Sequence, residues 1–174
     1  ILDHMFFDGL QDAYEGHAMG HFAEEAVASY GFSRAEQDDY ARVSVLRAQG
    51  AVSDGAFAGE IAPVTVAGRK GEVIVAHDET PGKCDPAKIP QLKPAFRKDG
   101  TVTAANSSSI SDGAAALILM RASDAERRGI APVARIVGYA GHAQAPGLFT
   151  SAPVGAMRTL MERVQWDVKH VDLF

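Results

Sequence analysis

Residues 99–120, DGTVTAANSSSISDGAAALILM, constrain this chain more than any other stretch. Asp99-Gly100 is a turn pair, and a short alternating piece follows over residues 101–105. Next comes a polar knot of Asn106, Ser107, Ser108, Ser109, Ser111 and Asp112, closed by Gly113. Residues 114–120 then form an unbroken apolar run of strand length, which reads as a strand buried on both faces. Hydroxyls and amides just ahead of a buried strand need partners, because an unpaired buried polar group costs about 1–3 kcal/mol. Two arrangements satisfy them: a tight turn in which they bond one another, or a ligand that they face.

The chain before this stretch reads as two helices and a hairpin. Met19, Phe22, Ala23, Ala26, Val27 and Tyr30 follow helical spacing, and Gly31 stands where a helix stops. Ser33 and Glu36 form a capping-box pattern for a second helix reaching about Val52, with Asp54-Gly55 as the turn after it. The acids of that helix form an exposed face. Residues 60–66 and 72–76 alternate as strands around a turn at 67–71, and Pro63 marks an edge position. Residues 80–94 hold four prolines and read as irregular surface structure.

After the central stretch, Ser123 and Glu126 suggest a capping box for a short helix ending at Gly129. Residues 133–140 alternate as a strand. Pro153 suits a first helical turn, and Met157, Leu160, Met161 and Val164 share a face of the helix behind it. Residues 171–174 read as a further strand. This order is that of an α/β protein with a helical insertion.

Composition narrows the function. The chain has 174 residues, 47% of them hydrophobic, so it can bury a core. Its formal charge is -5 with no extended basic cluster, which argues against nucleic acid as a partner. Cys84 is the single cysteine, which excludes an internal disulfide framework and fits a reduced, cytoplasmic setting. No apolar run approaches the ~20 residues that span a bilayer. Ile1 at one end and a short strand pattern at the other give the expectation of a piece of something longer.

The central stretch resembles the thiolase family, whose pattern here is close to VTAGNASGxNDGAAA. Val102-Thr103-Ala104, Asn106, Ser108 and residues 112–116 match it; Ala105, Ser107, Ser109 and Ser111 depart from it. The resemblance implies the layered α-β-α-β-α thiolase fold, present in part, with an inserted α+β loop domain of two helices and a hairpin. It divides the chain into a loop domain at 1–110, the last strand and helix of one half at 111–128, and the start of the other half at 129–174. It also implies acyl transfer between a cysteine and coenzyme A, as thiolysis of a 3-ketoacyl-CoA or condensation of acetyl-CoA. Coenzyme A and acyl-CoA are then substrates, no further cofactor or metal is needed, and a dimer or tetramer is expected.

A thiolase needs an activated cysteine, because only a thiolate is strongly nucleophilic. The family's nucleophilic cysteine, its histidine and its second cysteine match no position in residues 1–174, so the resemblance assigns no catalytic residue here. Cys84 lies in a segment matching no catalytic motif and reads as an incidental loop thiol. The coenzyme-binding part does match. Leu10, Met19, Leu92, Phe96, Ala104, Ser108 and Ile110 fall where the family lines its pantetheine tunnel. A slender arm with two amides wants apolar walls and a few polar contacts. Short-chain members carry a histidine directly before the methionine of Met-Gly; here that position is Ala18, and His17 is displaced by ~100° if the segment is helical. His17 reads as a surface histidine, and His142 as a candidate for an acyl-pocket rim. The alternative reading is a catalytically inactive acyl-CoA-binding or interaction module.

Overall fold

Met19 to Tyr30 forms the first helix, α1, as the apolar spacing predicts. Gly31 ends it at a φ of 71°, a left-handed conformation open to glycine, and its N–H bonds the Val27 carbonyl at 2.9 Å. Ser33 then starts α2, Arg34–Ser53. The capping box is formed in both directions: the Ser33 hydroxyl accepts from the Glu36 N–H, and the Glu36 carboxylate accepts from the Ser33 N–H at 2.8 Å. Asp54-Gly55 makes the expected turn, with Gly55 at a φ of 66°.

The computed structural model describes residues 1–69 and 71–174. It divides into two units, residues 23–109 and residues 1–22 with 110–174, and the boundary falls within α1.

In the unit 23–109, β1 (Val64–Gly68) and β2 (Gly71–Val75) pair antiparallel in the register Val64 to Val75 through Gly68 to Gly71. Both strands are exposed along their whole length. Lys70, which the sequence places in the hairpin turn, lies outside the described residues. The proline-rich stretch is more regular than expected: Asp78 caps a short helix α3, Glu79–Lys83, and Asp85 caps a 3-10 helix, Pro86–Gln91. Both are tied to α2. Gln49 donates to the carbonyls of Pro81 (2.8 Å) and Cys84 (2.9 Å), and Arg34 donates to those of Ile89 (3.3 Å) and Leu92 (2.9 Å). The buried residues are Ala41, Ile89, Val102 and Thr103, with Glu24 and Asp38 among them. Asp38 therefore corrects the expectation that the acids of α2 lie on an exposed face.

The other unit opens with a π-helical turn, Phe6–Leu10, whose start is held by Asp3 accepting from the Phe6 N–H at 3.2 Å. Its later helices are α4 (Ala122–Arg127), a 3-10 turn (Pro146–Ser151) and α5 (Ala152–Val164). Pro153 lies in the first turn of α5, as expected. The Ser123 capping box does not form: Arg121 is the N-cap residue of α4, without a side-chain bond, and Ser123 is already inside the helix. Phe22 is buried and meets Phe149 edge-on, with ring centroids 6.2 Å apart.

Three strand expectations fail in this unit. Residues 114–120, 133–140 and 171–174 are in no strand. Leu117 and Ile118 are 87% and 88% exposed. A strand is stabilised by ladder partners and by cover on its faces, and among the described residues no segment pairs with these three. Residues 138 and 139 instead lie against α5: a Cβ on Gly138 would lie 3.0 Å from both Leu160 and Val164, and Arg163 donates to the Tyr139 carbonyl at 3.0 Å. Among the described residues, no helix is long and apolar enough to cross a membrane.

Candidate functional site

The first part of the polar knot, residues 106–109, follows a closed loop in the unit 23–109. The Ala95 N–H donates to the Val102 carbonyl at 2.9 Å, and the Gly100 N–H closes the Asp99-Gly100 turn on the Arg97 carbonyl at 3.1 Å. This ties the segment carrying Phe96 to the one carrying Ala104. Buried Thr103 is the hub of the knot. Asn106 accepts from the Thr103 N–H at 2.7 Å and donates to the Thr101 carbonyl at 3.0 Å. The Thr103 hydroxyl accepts from the Ala105 N–H at 3.3 Å, and the Ser107 hydroxyl donates to the Thr103 carbonyl. Of the two arrangements open to the sequence, residues 103–107 take the tight turn. Among the described residues, no buried side-chain nitrogen or oxygen lacks a partner.

Both helices hold this turn. Glu24 of α1 is 4% exposed and accepts from the Thr101 N–H (2.9 and 3.0 Å), the Val102 N–H (2.8 Å) and the Thr101 hydroxyl (3.1 Å). Burial pushes the Glu24 carboxyl up, but the bonds from Val102 and Thr101 and the Arg97 charge outweigh it, and its pKa lies below the usual value. From α2, Gln37 donates to the Thr101 hydroxyl at 3.0 Å, and Asp38 accepts from the Asn106 amide at 3.5 Å. Arg34 pairs with Asp38 at 2.7 Å.

The seven residues matched to the coenzyme tunnel divide between the units. Leu92, Phe96, Ala104 and Ser108 belong to the unit 23–109, and all four are exposed. Ser108 is the first residue past the bonded turn, and its side chain has no hydrogen-bond partner among the described residues. Leu10, half-buried, Met19, at the start of α1, and Ile110 belong to the other unit. A groove of about 370 Å³ beside Asn106 is lined by Phe32, Glu36, Gln37 and Tyr40, and none of the seven lines it.

The remaining candidates are placed as follows. His17 stacks on His21, with centroids 4.2 Å apart at 21°. His142 lies against α5, where a Cβ on Gly155 would come within 2.5 Å of its ring. Cys84 is half-buried. Among the described residues, no group of three metal-ligating side chains comes together.

Glu24, Gln37, Asp38 and the Arg34 anchor were missed at the level of sequence. One signal for Glu24 was available: it stands one position from the apolar stripe of α1, where a carboxylate needs a partner. Nothing in the sequence named that partner 77 residues away.

Comparison with known proteins adds to this geometry. Residues 1–123 match the thiolase N-terminal domain. The chain belongs to the thiolase family. It is 43% identical to an acetyl-CoA acetyltransferase of Paracoccus denitrificans, over 99% of this chain and 44% of that protein. It is 44% identical to a probable acetyl-CoA acetyltransferase of Dictyostelium discoideum, over the whole chain and 42% of that protein. The chain thus spans less than half the length of these relatives. Among solved structures, it superposes on the Bacillus anthracis acetyl-CoA acetyltransferase with a TM-score of 0.88 at 38% identity, covering 99% of this chain and 45% of that one. A thiolase of Ascaris suum in complex with coenzyme A gives 0.89 at 38% identity, covering 99% and 44%. The α/β fold is therefore that of thiolases over the part this chain spans.

Proposed function

We propose that the protein is a thiolase-type acyltransferase, an acetyl-CoA C-acyltransferase that moves an acyl group between an enzyme cysteine and coenzyme A. The chain described here supplies coenzyme-binding residues. The observation that carries this reading is Ser108. Its neighbours spend their hydrogen bonds on one another, while its own hydroxyl is left outward at a position the family uses for the pantetheine arm. Leu92, Phe96 and Ala104 give the same unit exposed apolar side chains, and apolar side chains with a few polar contacts are what a slender amide-bearing arm requires. Leu10, Met19 and Ile110 carry the same family match in the other unit. Relatives named acetyl-CoA acetyltransferase, and a neighbour solved with coenzyme A, support acyl-CoA and coenzyme A as substrates.

The reading extends to a role in fatty-acid metabolism, a cytoplasmic setting, a homo-oligomer (dimer or tetramer), and no nucleic-acid or membrane partner. No cofactor is invoked beyond the coenzyme substrate, and no residue of this chain is assigned to bond making or breaking. The test is thiolysis of acetoacetyl-CoA by the whole protein, followed by Ser108→Ala. The substitution raises the KM for coenzyme A, and an unchanged KM removes Ser108 from the site. Coenzyme binding without turnover fits the acyl-CoA-binding module instead.

A further inference from the structure

We propose that Glu24 is a positioning residue for coenzyme binding: its carboxylate fixes residues 101–108 so that Ala104 and Ser108 face the ligand. The proposal rests on the coenzyme assignment of Ser108 above.

The geometry is specific to a carboxylate. Two backbone N–H groups and one hydroxyl converge on Glu24, at distances from 2.8 to 3.1 Å. All three can donate, and an ionised carboxylate only accepts. An amide at this place would turn an NH₂ group toward donors. Gly100 completes the fit, because a Cβ there would overlap the Glu24 carboxylate, so the loop lies directly on it.

The anchor acts on the segment through a short chain of bonds. Glu24 holds Thr101 and Val102; Thr101 holds Asn106 through its carbonyl; Asn106 holds Thr103, and Thr103 holds Ser107. Ser108 is the next residue. Loosening the first link therefore loosens the hold on every later one. Among the described residues Glu24 makes its hydrogen bonds with Thr101 and Val102 and none with Ala104 or Ser108, so its effect runs through position. Depressed proton affinity at Glu24 is consistent with an anchor kept ionised at neutral pH.

Four variants of the whole protein test this: Glu24→Gln, Thr101→Val, Ser108→Ala, and Gln49→Ala as a control. Gln49 ties α2 to the Pro81 and Cys84 carbonyls and, among the described residues, makes no hydrogen bond with residues 101–108. Each is titrated with coenzyme A by calorimetry, assayed for thiolysis of acetoacetyl-CoA, and melted. Glu24→Gln raises the Kd and KM for coenzyme A about 5- to 10-fold with kcat within about twofold, the pattern of lost binding without lost chemistry. Thr101→Val removes the hydroxyl that donates to Glu24 and accepts from Gln37, and raises both about 2- to 3-fold. Gln49→Ala lowers the melting temperature and leaves both constants unchanged. An unchanged Kd for Glu24→Gln, beside a raised Kd for Ser108→Ala, overturns the positioning role and spares the Ser108 assignment. A Kd unchanged in Ser108→Ala overturns that assignment and the proposal built on it. Equal losses of coenzyme affinity in Glu24→Gln and Gln49→Ala make the effect one of general stability and overturn the proposal. If Glu24→Gln does not fold, Thr101→Val decides, and an unchanged Kd there overturns it.

Discussion

Arg34→Ala should destabilise the unit 23–109 by about 2–4 kcal/mol, a large effect for one residue on a helix's first turn. Three bonds end at this guanidinium: Asp38 at 2.7 Å, the Leu92 carbonyl at 2.9 Å and the Ile89 carbonyl at 3.3 Å. The Asp38 bond is charge-assisted, and such bonds contribute about 1.5–3 kcal/mol. Its loss is felt fully because the Asp38 side chain is only 8% exposed and would keep just the long Asn106 contact. The Arg34 side chain is 26% exposed, so water screens part of the pair, and the upper range for buried pairs is not reached. The carbonyls each add about 0.5–1.5 kcal/mol at most, less where water replaces the lost donor. Asp38→Asn should cost less, about 1–2 kcal/mol, because the stranded partner is then the better-solvated arginine. The double variant should cost less than the sum by about 1–2 kcal/mol, since removing Asp38 relieves the buried charge. Urea unfolding of the four proteins measures this. Additive losses, or an Arg34→Ala effect below about 0.5 kcal/mol, would refute the buried-pair reasoning.

Three further outcomes follow from the same structure. Glu24 has a depressed pKa in the fold, so its contribution is present above the unfolded value of 4.5 and lost as pH falls through the folded one. Melting temperature should thus drop on acidification below pH 4.5, and Glu24→Gln should flatten that drop; identical pH profiles would exclude Glu24 as its source. Ser33→Ala removes the hydroxyl of the capping box and should cost about 1 kcal/mol by urea unfolding, with Ser33→Thr, which keeps the hydroxyl, close to neutral. Gly155→Ala should destabilise by about 1–2 kcal/mol because the new methyl meets the His142 ring, and His142→Ala should recover most of it in the double variant. A penalty unchanged in that double variant would show that the ring is not the obstacle.

Local rules read well wherever the answer was local. Helical spacing, the Gly31 stop, the Ser33–Glu36 box and the position of Pro153 each depend on residues within one or two turns, and each is found as expected. The hairpin is local too, but its first strand starts later, at Val64, and both strands run further into the expected turn, to Gly68 and from Gly71. The Ser123–Glu126 pattern shows the limit of such a rule: α4 begins at Ala122, before the serine can cap it. The family could be read from residues 102–116, because their backbone turn and small residues leave a recognisable pattern.

Tertiary structure decided what depended on distant partners. The sequence could not choose between a self-satisfied turn and a ligand-facing one; the structure gives residues 103–107 the first and leaves Ser108 exposed. It could not pair Glu24 with Thr101 and Val102, nor bury Asp38 against Arg34 and Asn106, because those choices lie in how α1 and α2 meet the loop. Residues 114–120 make the same point in reverse. Their composition states that they want to be buried, yet burial and a ladder require a second segment, and composition cannot supply one.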